Sequence, residues 1–125
     1  MSRSLAGLLI LLAATTPCRP AAAQDAGGYH LTKRIPIGGE GGWDYLFVDS
    51  DAHRLYVSHG TRALVVDLTT ETVIGEVAPA NGIHGITVAP EFHRGFTSNG
   101  RDTTVTIFDL ETLATIGSVT VTGAN

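Results

Sequence analysis

Asp44 in "GGWDYL" and His84 in "NGIHGI" stand 40 residues apart, each at the head of a short β-branched and aromatic run. A carboxylate and an imidazole brought to one axis can hold a cation or polarise a small polar ligand. Two donors without a third specify no metal, so metal and cofactor stay unassigned. The plainer alternative is that both side chains satisfy backbone groups where strands begin. A second group, Asn99, Arg101 and Asp102 in "SNGRD", falls where a turn is expected, and connecting segments carry function more often than strands do. Asn-Gly is equally a hairpin-turn signal. Trp43, the only tryptophan, precedes Asp44 and is expected either to pack between structural units or to wall a site beside that carboxylate.

Other candidates carry less. His53-Arg54 and His93-Arg94 recur as pairs, but neither has an acid at a triad spacing, and both read as solvated hairpin tips. His59 in "SHG" sits in the loop that matches "SNGRD" and reads either as a loop candidate like those residues or as a solvated turn residue. There is no G-x-S-x-G elbow, H-E-x-x-H helix, C-x-x-C pair or Walker A loop, each of which would announce a defined chemistry. "GGEGGW" lacks the spacing of a dinucleotide loop. No residue is assigned as catalytic.

What must position these side chains is a repeated set of strands. "YLFVDSDAHRLYVSHG" and "GITVAPEFHRGFTSNG" run in step at an offset of 40, and "VVDLTTETVIGEV" answers "IFDLETLATIGSV" at 42. The difference is an insertion at Arg101–Thr103. Period-2 apolar runs bounded by Gly, Asp, Asn and Pro give strands, and no window sustains a helical period. Strands are expected at Tyr29–Ile37, Asp44–Asp49, Arg54–Ser58, Ala63–Asp67, Thr72–Val77, His84–Val88, Arg94–Ser98, Thr104–Asp109 and Leu113–Val121. Four short strands per period of about 40 residues mark an all-β propeller blade, the plainer alternative being a sandwich of unrelated meanders.

"RLYVSHGTRALVVDLTTETVIGEV" resembles the YVTN-type bacterial β-propeller repeat. The residues that carry the likeness are Arg54–Val57, Val65–Asp67, Thr69–Thr72 and Val73–Val77. The second copy departs from it with Gly95, Phe96 and Thr97, and both copies lack the Pro-Asp-Gly turn. The resemblance implies two four-stranded antiparallel blades, about 43–80 and about 83–122, in an incomplete ring. In that arrangement the inner strand of each blade comes first, and "YHLTKRIPI" is the outer strand that closes the ring. Propellers need four to eight blades, so a partial propeller over 29–125 points to a piece of a longer protein, the alternative being self-assembly of several chains into one ring. The resemblance also implies an enzyme alternative, a lactone hydrolase or a quinone- or metal-dependent oxidoreductase whose site needs further blades.

The start of the chain has a different character. Arg3, an apolar core from Leu5 to about Thr15, and Ala21 and Ala23 before Gln24 form a secretory signal over 1–23, followed by a linker over 24–28. The apolar run is shorter than the roughly 20 residues that cross a bilayer, so no membrane span is expected after cleavage. The one cysteine, Cys18, lies within the signal, leaving no thiol chemistry. With 8 basic and 12 acidic side chains and no basic cluster, nucleic acid is not an expected partner. The expectation is a periplasmic or secreted, non-enzymatic binding or scaffold module for a protein or a small polar ligand.

Overall fold

Strand-forming sequence is used almost completely. The computed structural model describes residues 28–123, so the expected signal and nearly all of the linker lie outside the described residues. Eight strands follow one another: β1 Trp43–Asp49, β2 Arg54–His59, β3 Arg62–Asp67, β4 Thr72–Val77, β5 Ile83–Ala89, β6 Arg94–Asn99, β7 Thr104–Asp109 and β8 Thr115–Thr120. They form two four-stranded antiparallel sheets, β1-β2-β3-β4 and β5-β6-β7-β8, each a simple meander. One turn of 3-10 helix, Pro90–Phe92, interrupts the pattern. Among the described residues no helix is long and apolar enough to cross a membrane.

The repeat is preserved down to individual pairs. Phe47 faces Tyr56 as Thr87 faces Phe96, and Arg54 faces Asp67 as Arg94 faces Asp109. Even the irregularities match: a bulge falls between Trp43 and Leu46 and again between Ile83 and Ile86. The turns at His53 and His93 both take positive φ, 52° and 53°, as expected of hairpin tips.

The sheets stack by unlike faces. Tyr56, Ser58, Ala63, Val65 and Val77 of the first sheet, all at 0% exposure, meet Ile83, Ile86, Phe108 and Leu113 of the second. Tyr56 and Phe108 lie 6.0 Å apart between ring centroids. The valine, leucine, isoleucine and phenylalanine side chains among them each contribute about 1.5–3 kcal/mol by leaving water. Polar groups tie the edges: Ser58 Oγ donates to the His84 carbonyl, Arg54 to the Leu110 carbonyl, and Thr106 Oγ1 to the Pro79 carbonyl at 3.2 Å. In the repeat, Phe96, Ser98, Val105, Ile107 and Val119 correspond to the buried set of the first sheet. They lie on the far face of the second sheet, where none is buried and Val119 is 52% exposed.

One expected strand is absent. Tyr29–Ile37 joins no ladder. Pro36 has no N–H to donate, and no further strand lies beside the stretch among the described residues. Lys33 instead pairs with Glu71 beyond the end of β3, while Gly39 presses on His59 near its start. The chain from Lys33 to Gly39 therefore runs along the first sheet. It takes the place that β4, with Gly75 against Leu113, holds on the second sheet. The Gly60 N–H to Gly42 carbonyl bond (3.0 Å) likewise repeats as Gly100 to Gly82 (2.8 Å).

Two repeated carboxylates hold the outer turns. Asp67 Oδ1 accepts the N–H groups of Thr69 and Thr70, both at 2.7 Å; Asp109 Oδ1 accepts those of Glu111 (3.0 Å) and Thr112 (2.9 Å). Both carboxyls sit below the usual range, chiefly through the backbone N–H of Thr70 and of Thr112. A depressed carboxyl stabilises the fold fully above its unfolded pKa of about 3.9 and loses that contribution as pH falls through the folded value. Melting temperature should therefore drop less steeply on acidification below about pH 4 for Asp67→Asn/Asp109→Asn than for the parent chain. Parallel slopes would count against these two turns as the acid-sensitive points.

Candidate functional site

β1 and β5 begin side by side at one end of the stacked sheets, and both are interrupted by a bulge just past their first residue. A bulge frees residues from the ladder and re-aims their side chains. Asp44 and His84 occupy those two bulges. They meet across the sheets, His84 Nδ1 to Asp44 Oδ2 at 2.5 Å, with both side chains 39% exposed. The carboxylate fixes a tautomer with the proton on Nδ1, which leaves the Nε2 lone pair to accept a proton or bind a cation. Nε2 itself has no hydrogen-bond partner among the described residues.

The pair lines an open groove of about 470 Å³ together with Tyr45, Gly85 and Ser98. Gly85 brings no side chain into the groove, and its N–H donates to Ser98 Oγ at 2.9 Å. Tyr45 stands 59% exposed at the rim. Tyr45 and Ser98 were not among the sequence candidates, although the residue after Asp44 and the serine shared by "VSHG" and "TSNG" were the available signals. Among the described residues no third His, Cys, Asp or Glu joins the pair.

The remaining candidates divide. Arg101 and Asp102 lie at the same end, because Asn99 at the end of β6 pairs with Ile83 at the start of β5. They are engaged with the link into β5 rather than the groove. Arg101 packs on Gly82, where an added Cβ would stand 2.8 Å from the Arg101 nitrogen, and Asp102 accepts from Asn81 Nδ2 at 2.7 Å. Asn99 is a correction: it is 1% exposed, not a loop ligand. Its Oδ1 accepts from Thr97 Oγ1 (2.9 Å), and its Nδ2 donates to Thr104 Oγ1 (3.1 Å) and Thr106 Oγ1 (2.8 Å).

Trp43 and His59 are corrected together. Trp43 neither packs between the sheets nor lines the groove. It stacks on His59 of its own sheet, centroids 3.8 Å apart at 6°, while remaining half exposed. His59 is 2% exposed rather than a solvated turn, and neither ring nitrogen has a partner. It occupies the repeat position of Asn99, but Val57 and Leu64 stand where Thr97 and Thr106 would answer it.

No family model and no curated protein matches the chain. Its fold, however, is found among solved structures. A chain of the Kuenenia stuttgartiensis hydrazine synthase aligns with a TM-score of 0.60 and 23% identity, over 75% of this chain and 26% of that one. The likeness is one of fold alone. This chain spans about a quarter of that chain's length.

Proposed function

We propose that this chain forms two adjacent blades of an exported YVTN-type β-propeller and serves as a non-enzymatic binding or scaffold module. A small polar ligand or cation is bound at the Asp44–His84 groove. The observation that carries this reading is that two side chains at the same repeat position, on successive sheets, meet at 2.5 Å in an open groove rather than turning to their own backbones. Unlike-face stacking of two matching four-stranded sheets supports the blade assignment. The signal-like start supports export to the periplasm or beyond. A second reading, a propeller enzyme, draws on the free Nε2 beside a carboxylate, the arrangement of a general base.

The test is calorimetric titration with Zn²⁺, a cation suited to mixed imidazole and carboxylate ligation. Asp44→Asn and His84→Ala should each weaken binding about tenfold or more. Stability should change by less than about 1 kcal/mol, because a pair this exposed contributes little to folding. Large destabilisation together with no Zn²⁺ binding in the parent chain would assign both residues to strand-end structure instead.

A further inference from the structure

Each sheet shows a different face to each side, so the contact inside the chain indicates what the uncovered faces fit. On the first sheet, Leu46 and Val48 of β1 are 67% and 53% exposed. Their counterparts on β5 are Ile86, which is 8% exposed, and Val88, which packs against the core; β5 lies against β1, β2 and β3. On the second sheet, Phe96, Ser98 and Val105 line an uncharged groove of about 260 Å³ with Gly85, Ile86 and Thr87. Their counterparts Tyr56, Ser58 and Ala63 are the surface that β5 covers. One end of the molecule thus carries the projecting side of the contact, and the other end carries the receiving side.

We propose that the far face of the second sheet docks a second copy of this chain head to tail, and that the second copy completes the Asp44–His84 site. The docked copy repeats the step from first sheet to second. Leu46 and Val48 of the second copy enter the Phe96–Val105 groove, as Ile86 and Val88 enter the first sheet. The same step sets Asp44 of the second copy beside His84, on the opposite side from Asp44 of the first. The imidazole then stands between two carboxylates, which supplies the third donor missing among the described residues of the single chain. β8 comes to the place that Lys33–Gly39 occupies on the second copy, so docking displaces that stretch and breaks Lys33–Glu71. This proposal extends the ligand reading given above, and its two parts fail separately.

Sedimentation velocity on protein expressed from the full 125-residue sequence tests it. The chain should associate with rising concentration, and Lys33→Glu should strengthen association. Val105→Asp, which blocks the receiving groove, and Leu46→Asp, which blocks the projecting side, should each be monomeric. Mixed in equal amounts they should form a discrete 1:1 dimer, because each retains the end that the other has lost. Thr87→Arg, at an exposed position of the same groove, serves as a second blocking variant should Val105→Asp misfold. Zn²⁺ should tighten association of the parent chain about tenfold and leave His84→Ala unaffected. A parent chain monomeric at every concentration, Thr87→Arg that associates like the parent, or a mixture with no dimer would overturn the docking. Docking that is indifferent to Zn²⁺ would overturn the shared site while leaving the interface standing.

Discussion

Gly95→Leu should unfold the second sheet, and adding Phe108→Val should restore it. A Cβ at position 95 would stand 2.0 Å from Phe108 Cζ and within 2.5 Å of both Cε atoms. The Phe108 ring is fully buried and set against Tyr56, so it has no free volume into which to move. Ordinary overpacking costs about 1–3 kcal/mol; a leucine driven into the centre of this ring should exceed that. The first sheet shows the remedy. The cross-strand pair there is Leu55 with Val66, and in the second sheet it is Gly95 with Phe108. Phe108→Val alone should cost about 2–4 kcal/mol through the cavity it leaves. The double variant should fall within about 1.5 kcal/mol of the parent, the usual range for volume-conserving exchange. Urea midpoints of the four chains give the coupling directly. Additive effects would mean that position 95 is a glycine for some reason other than this ring.

Asn99→Leu should be the next most damaging change, at about 2–4 kcal/mol. Three side-chain hydrogen bonds are lost, and the Thr97 hydroxyl, 1% exposed, is left with no acceptor. A buried polar group without a partner costs about 1–3 kcal/mol, more than the bond itself contributes. Adding Thr97→Val, the residue that the first sheet carries at 57, should recover much of the loss. If Asn99 served a ligand rather than the fold, thermal stability would hold while binding failed, and that result would reverse the assignment.

The sequence made the sheets legible because alternation and turn chemistry act locally. Every strand from β1 to β8 falls within two residues of its expected bounds, and the offset of 40 alone sets Asp44 and His84 at equivalent strand starts. What failed depends on neighbours distant in the chain. His59 and Asn99 both precede a glycine and look like turn residues; only the residues opposite them across the sheet decide that both are buried. Gly95 reads as a decayed motif position, yet it compensates Phe108, thirteen residues later. Tyr29–Ile37 has the composition of a strand, but a ladder also needs a partner, and composition says nothing about whether one is present.

The two hairpins joining the middle strands differ in length without disturbing what they join. His59 pairs with Arg62 across two intervening residues, whereas Asn99 pairs with Thr104 across four, and the ladders then proceed identically. The connection after Asn99 is thus a permissive seam in the protein. Loop-closure entropy grows only slowly with added length, and neither Arg101 nor Asp102 is buried. A reporter peptide or affinity epitope spliced between them would be carried on an undisturbed frame, which makes this seam the natural entry point for engineering the chain as a display platform.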